Sequence, residues 1–344
     1  MERRTLGSSG TIVSAYALGT MTFGAETDEA TAFAQCDRYL EAGGTLLDTA
    51  DVYNAGESER IVGRWLADRG VRDDVLLATK ARFPVGDDTD VNRRGLSRTW
   101  LTRAIDASLT RLGVDHVDLY QVHAWDPLTP PEEWLATLDD LVRAGKVGAV
   151  GVSNLRGYQL QRAVDVTRAE GLSPIVTLQP QWNLLARELE WELVPCCEAE
   201  GLGILPWSPL GGGWLTGKYR RDERPTGATR LGEDPQRGVE AWDKRATERT
   251  WTILDAVTEV ADAHGATMSQ VALAWVTAQP QVSSTILGAR TTEQLDDCLG
   301  AAELTLDPAA LERLDEVSAP VTPDYPYGFF DELDAGRATD AWPV

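Results

Sequence analysis

Short apolar runs rich in Val, Ile and Leu alternate along this chain with longer segments whose apolar positions recur at helical spacing. The runs Thr5-Leu6-Gly7 and Thr11-Ile12-Val13 flank Ser8-Ser9-Gly10, a pattern that predicts an N-terminal β-hairpin. Strands are then expected at 15–18, 45–48, 75–80, 117–123, 147–152, 175–179, 204–207 and 285–287. Helices are expected between them at 28–42, 58–68, 97–111, 131–144, 156–169, 188–200 and 247–264, with an eighth starting near Thr292. Strands alternating with helices imply a parallel sheet, and eight such units imply an α/β fold closed as a (β/α)8 TIM barrel. A doubly wound open sheet is the alternative, weakened because nothing like GxGxxG follows the first strand. A single domain over 1–344 is expected.

Two segments stand outside the repeat. Residues 208–246, after the seventh strand, hold Gly211-Gly212-Gly213, an RRDERP run and several prolines. A connection of that length is a functional lid or a disordered loop. Residues 306–344 open with a helix over 308–317 and end in an aromatic, proline-rich tail that includes Tyr325-Pro326-Tyr327-Gly328-Phe329-Phe330.

Composition narrows the functional classes. With 32 basic residues against 54 acidic ones, the net charge is −22. Such a surface lacks the basic patches that nucleic acid or anionic membrane would need. Cys36, Cys196, Cys197 and Cys298 show neither metal-ligand spacing nor a disulfide framework. The opening MERRTLGSSG lacks the apolar run of a signal peptide, and no apolar stretch nears the ~18 residues of a spanning helix. A cytoplasmic protein with no metal is expected; its oligomeric state is left open.

The chemistry sits where strands end. Asp48 ends LLD, Lys80 ends VLLATK, His123 ends VDLYQVH, and Tyr53 follows Asp48 in LLDTADVY. In a parallel barrel those ends meet on one face, so residues distant in sequence share a pocket. Together they suit carbonyl reduction by hydride, in which growing charge on oxygen must be protonated or hydrogen-bonded. A phenol's ordinary pKa near ~10 is high for this task, and a neighbouring ammonium lowers it. Lys80 is expected to supply that charge, Asp48 to hold Lys80, and a neutral His123 to orient the carbonyl. Any one of these alone would read as a solvated or salt-bridged residue. His116 and His264 are expected to be structural.

The segments GTMTFG (19–24), LLDTADVYNAGESERIVGRWL (46–66), ATK (78–80), QVH (121–123), GKVGAVGVSN (145–154), LQPQWN (178–183), PWSPL (206–210) and LGAR (287–290) resemble, in that order, the aldo-keto reductases. The resemblance covers nearly the whole chain. It implies an NADP-dependent oxidoreductase that reduces an aldehyde or ketone, with Tyr53 as general acid assisted by Lys80, Asp48 and His123. It also implies NADPH held by Thr20, Met21, Asp48, Ser153, Asn154, Gln179, Trp207, Ser208, Pro209, Leu210, Gly212 and Lys218, with 208–246 as a cofactor lid. Gly288, Arg290, Gln294, Asp297 and Cys298 would serve the adenosine end. Arg290 suits a 2′-phosphate because its planar fork donates bidentately; Arg230 is a second candidate. Asp297-Cys298 stands where the family usually has Glu-Asn, and a thiol reads an adenine edge poorly.

A pocket walled by Phe23, Trp125, Trp182 and Trp214 is expected for the carbonyl substrate, with Arg82, Asn92 and Asp126 as polar options. VHAWDPLTPPEE (122–133) resembles bacterial members of the subgroup shared with potassium-channel β subunits, which includes aryl-aldehyde and deoxysugar reductases. The rival readings are a pathway-specific reductase of a keto-sugar or natural-product intermediate and an NADPH-binding, redox-sensing partner subunit.

Overall fold

The computed structural model describes residues 1–227, 229–236 and 238–329, without the side chain of Arg230. Strands β1 (Arg3–Thr5) and β2 (Ile12–Ser14) pair antiparallel. The repeat then runs β3 (Tyr16–Gly19), α1 (Glu29–Glu41), β4 (Leu46–Asp48), α2 (Glu57–Arg69), β5 (Leu76–Ala81), α3 (Arg98–Leu112), β6 (Val117–Val122) and α4 (Pro131–Arg143). It continues through β7 (Val147–Ser153), α5 (Gly157–Glu170), β8 (Ile175–Gln179), α6 (Leu193–Glu200) and β9 (Gly203–Ile204). The long segment carries two short helices, α7 (Arg230–Glu233) and α8 (Trp242–Arg245). After it come α9 (Glu248–His264), α10 (Met268–Thr277), β10 (Thr285–Leu287), α11 (Thr292–Leu299) and α12 (Pro308–Ser318).

Strands β3 to β9 follow one another in chain order around one parallel sheet, and β10 pairs with β3. Between β9 and β10 the ring is joined by Ile204 N to Gln281 O at 2.8 Å, Ser283 N to Ile204 O at 2.9 Å and Ile286 N to Pro206 O at 3.0 Å. The result is the (β/α)8 barrel that the alternation of elements implies.

Two cores follow from the period of two along each strand. Leu47, Leu77, Tyr120, Val150, Val152 and Leu178 belong to the large core shared with the helices. Ala17, Leu46, Ala78, Leu119, Leu205 and Ile286 form a second, smaller core, joined by Leu6 and Val13 of the hairpin. The hairpin therefore plugs the barrel rather than extending its sheet. The same alternation puts Asp48, Lys80 and Gln121 in step with Leu46, Ala78 and Leu119, each two residues on. Small residues make room among them: a Cβ on Gly151 would lie 2.3 Å from Thr177 Oγ1 and 3.0 Å from Gln121 Cγ.

Four differences from the expected elements have local causes. The seventh strand is only Gly203–Ile204, because Pro206 has no N–H for a ladder; Trp207 meets Gln181 as an isolated bridge. The helix expected at 188–200 is a 3₁₀ turn, Glu188–Trp191, followed by α6. Helix α10 was not anticipated, although Thr267 and Gln270 form a reciprocal capping box at its start. The hairpin strands lie further from the turn than expected, with Leu6 N bonded to Thr11 O at 2.8 Å inside it. Residues 330–344 of the expected tail lie outside the described residues. No described helix is long and apolar enough to cross a membrane.

Gly151→Ala overpacks the barrel interior, and its expected cost is about 1–3 kcal/mol. Denaturant unfolding would show a lower midpoint at constant m-value; an unchanged midpoint would mean the interior has slack.

Candidate active site

The C-terminal ends of β4, β5, β6 and β8 bring four polar side chains into one buried layer. Lys80 is fully buried, and its Nζ donates to Asp48 Oδ2 at 2.6 Å, to Thr49 O at 2.9 Å and to Tyr53 Oη at 3.2 Å. These three acceptors use all three of its protons. Asp48 Oδ1 accepts from Gln179 Nε2 at 2.9 Å and from Gln121 Nε2 at 3.2 Å. Gln179 Nε2 also reaches Gln121 Oε1 at 3.3 Å. Its amide protons thus serve the carboxylate layer, leaving Oε1 as what Gln179 offers a ligand. Gln121 was not singled out from sequence, though it stands in the QVH segment.

Tyr53 enters from the turn after β4. Asn54 and Ala55 take left-handed backbone with φ of 49° and 54°, and Asn54 Nδ2 donates to Met21 O at 3.0 Å and Phe23 O at 2.7 Å. Non-glycine residues hold that conformation only when the surroundings impose it. The turn places the Tyr53 ring 5.9 Å from the His123 ring, edge to face.

Burial competes with the charges around these groups. Burial is the largest influence on the Tyr53 phenol and raises its pKa; Lys80 pulls it down, Asp48 pushes it up, and the net result is above the ordinary value. Lys80 thus lowers the phenol pKa as expected, but desolvation, which the sequence does not show, outweighs the ammonium. Tyr53 stays a protonated donor at physiological pH. Burial disfavours the Lys80 ammonium, but Asp48 and Tyr53 outweigh it and raise its pKa. Burial, then Lys80 and Arg82, push His123 down to about 3, so its imidazole is neutral. Among described residues its Nδ1 has no hydrogen-bond partner.

Above this layer opens a cavity of about 640 Å³. Asp48, Tyr53, His123, Met21, Ser153, Asn154, Gln179 and Trp207 line one end of it. Ser208, Pro209, Leu210, Gly212 and Lys218 follow, and Gly288, Arg290, Gln294, Asp297 and Cys298 line the rest. Asn154 Nδ2 donates to His123 O at 2.9 Å, and Trp207 Nε1 donates to Asn154 Oδ1 at 3.1 Å, which ties β6, β7 and the end of β9 together. Gly212 N donates to Ser208 Oγ at 3.2 Å. Arg290 makes a two-pronged contact with Glu233 of α7, Nη1 to Oε1 at 3.0 Å and Nη2 to Oε2 at 2.9 Å; its Nη2 also lies 3.5 Å from Glu26 Oε1. Ser269 and Leu273 from α10, with Thr22 and Thr229, line the cavity without having been foreseen.

Several expected site residues lie elsewhere. Thr20 is buried behind the cavity, its Oγ1 2.7 Å from Ser58 Oγ. Lys80 lies beneath the lining. The Arg230 side chain lies outside the described residues. The expected aromatic walls are mostly core: Phe23, Trp182 and Trp214 are fully buried and line no part of the cavity. Trp182 Nε1 donates to Glu190 at 2.9 Å; Trp214 stacks on Trp242 at 5.1 Å and packs with Tyr219 and Trp251. The long segment thus needs its tryptophans for a core of its own. Trp125 is half-buried, set edge-on to Trp134, and Asp126 is a buried loop staple accepting from Leu96 N, Leu128 N and Thr129 Oγ1. Asn92 is exposed, and Arg82 lies over Phe83, which meets His123 at 5.0 Å. At the far end Asp297 Oδ1 accepts from Thr267 Oγ1 at 2.8 Å, and burial first, then Asp297, pushes the Cys298 thiol up to about 12.

One buried carboxyl near the site was missed entirely. Asp51 is fully buried, and neither side-chain oxygen is hydrogen-bonded to a described residue. Burial foremost, and Glu59 next, hold its pKa well above the usual carboxylate range.

The barrel sequence from β3 to α12 belongs to the aldo/keto reductase family, whose model matches residues 16–319, and the chain is an oxidoreductase. It is 37% identical over 324 residues to the uncharacterized oxidoreductase YrpG of Bacillus subtilis (strain 168), covering 92% of this chain and 96% of that protein. It is 34% identical over 343 residues to Protein tas of Escherichia coli (strain K12), covering 92% and 97%. With the versiconal hemiacetal acetate reductase of Aspergillus parasiticus it shares 32% over 343 residues, covering 93% and 98%. The family acts on small carbonyl compounds.

A carboxyl whose pKa is raised on folding binds more protons folded than unfolded, so it costs stability as pH climbs past its unfolded value near ~3.9. Asp51→Asn removes that cost. The difference in Tm, Asp51→Asn minus wild type, should grow as pH rises above the unfolded value near ~3.9 and level off once pH passes the raised folded-state pKa. A constant difference would show that Asp51 does not titrate in this way.

Proposed function

We propose that this chain reduces an aldehyde or ketone to the alcohol with NADPH, Tyr53 acting as general acid. The observation that carries the reading is Lys80 Nζ held between Asp48 Oδ2 at 2.6 Å and Tyr53 Oη at 3.2 Å, under a cavity that runs on to Arg290. The cavity residues suit a dinucleotide. Trp207 offers a ring face, Gly212 and Lys218 offer backbone approach and charge to phosphates, and Arg290 offers a fork for a phosphate monoester. When bound, the dinucleotide supplies the hydride taken up by the carbonyl carbon. Tyr53 Oη gives its proton to the carbonyl oxygen, completing the alcohol. The Lys80 ammonium stabilises the phenolate left behind, and Asp48, fixed by Gln121 and Gln179, keeps Lys80 in place. Neutral His123 donates a hydrogen bond that orients the carbonyl.

The substrate class favoured second is a carbonyl intermediate of natural-product synthesis. Two relatives, the versiconal hemiacetal acetate reductase and the norsolorinic acid reductase stcV of Emericella nidulans, at 32% identity each, carry names of that kind. A cofactor-sensing subunit is the reading left if turnover is slow with every carbonyl.

Oxidation of NADPH followed by absorbance, with 4-nitrobenzaldehyde and methylglyoxal, tests the proposal. Tyr53→Phe should lower turnover by about 10²–10⁴-fold. NADPH quenching of tryptophan fluorescence should stay within about twofold, since a Tyr53 outside the cofactor's binding contacts contributes little to affinity. Loss of binding instead would remove Tyr53 from the acid's role. Arg290→Ala should raise the NADPH dissociation constant far more than that for NADH; equal losses would separate Arg290 from the 2′-phosphate. The pH profile of kcat/KM should be flat through the ordinary histidine range near ~6.5 and fall only above the ordinary phenol value near ~10. A limb near neutrality would mean that His123 titrates there.

A further inference from the structure

The fork of Arg290 is occupied in this structure by a side chain from the long segment. Both η-nitrogens bond the two carboxylate oxygens of Glu233, at 3.0 and 2.9 Å, and Glu26 stands 3.5 Å from Nη2. Arg290 itself is fixed. Its backbone N donates to Gln294 Oε1 at 2.9 Å, its carbonyl accepts from Thr27 Oγ1 at 3.3 Å, and its side chain is only 21% exposed. Glu233 sits on a four-residue helix with its side chain 45% exposed, so of the two partners it is the one with room to leave.

A carboxylate and a phosphate monoester compete for one guanidinium fork in the same geometry. A phosphate monoester carries about −1.5 to −2 charge at neutral pH, so it cannot approach while Glu233 remains without meeting like charge at contact distance. A ribose 2′-hydroxyl makes no such demand, being able to donate to a carboxylate. We propose that Glu233 is a cofactor-discriminating residue of this chain, whose carboxylate holds Arg290 in the free protein and must be displaced by a 2′-phosphate but not by a 2′-hydroxyl. The inference rests on the NADPH reading above. It adds that affinity for NADPH is set below what Arg290 alone would give, and that the choice between NADPH and NADH is governed from the long segment as well as from the barrel.

The test is a fluorescence titration of NADPH and NADH with wild type, Glu233→Gln, Arg290→Ala and the double variant. Glu233→Gln keeps size and hydrogen-bonding capacity while removing the charge. It should tighten NADPH binding by about two- to fivefold, the range of a partly exposed ion pair. NADH binding should not change, and the gain should vanish in the Arg290→Ala background. Unchanged or weaker NADPH binding by Glu233→Gln, with Arg290→Ala still losing NADPH selectively, overturns the role of Glu233 and leaves the cofactor reading standing. Equal loss of both dinucleotides in Arg290→Ala overturns the placement of the phosphate, and this inference with it.

Discussion

A buried ion pair organises the mouth of this barrel. Lys80 and Asp48 meet at 2.6 Å with almost no exposure, where an isolated charge would be very costly. Removing either partner of such a pair typically costs about 3–5 kcal/mol, because the other is left charged and dry. The surrounding polar groups answer to that constraint. Thr49 O takes one ammonium proton, Tyr53 Oη takes another, and Gln121 with Gln179 covers the carboxylate's second oxygen. The phenol is therefore oriented by the same network that makes the charges tolerable. Structure and chemistry here are one set of hydrogen bonds.

The barrel and the polar layer at its mouth were largely legible in the sequence because both follow from short-range rules. Alternation of strand and helix patterns gives the fold, and the strand ends give Asp48, Lys80 and His123 a common face. Leu46, Ala78 and Leu119 are inner-core residues, and the period of two turns the polar residues two positions later the same way. What escaped depends on balances that no local pattern encodes. The Tyr53 pKa is decided by desolvation against one ammonium, and sequence names the ammonium but not the dryness. Asp51 reads as one more polar residue of a DTADVY turn until its burial is seen.

The tryptophans mark the second limit. Trp182 and Trp214 stand in segments that touch the mouth, and an aromatic near a site invites a role in recognition. Which way each ring faces is settled by tertiary packing: Trp214, Trp242, Trp251 and Tyr219 assemble a hydrophobic knot that gives the long segment an anchor. With those rings committed to packing, the cavity keeps Trp207 as its one tryptophan among the described residues. The acidic surface and the acidic residues beside Arg290 belong to the same picture, in which the guanidinium fork is a local exception to a field that repels anions.

The join between β9 and β10 gives the cavity a second meaning. Every other neighbouring pair in the ring is a proper ladder, but this pair is sewn by three backbone hydrogen bonds and a single bridge. Trp207 to Lys218 lie just past one side of that seam, and Gly288 to Cys298 lie just past the other. A molecule long enough to fill the cavity therefore works as a stitch, spanning the joint at which the seventh strand–helix unit meets the eighth. Occupancy and closure of the ring become thermodynamically linked, so the filled barrel is also the better-fastened one.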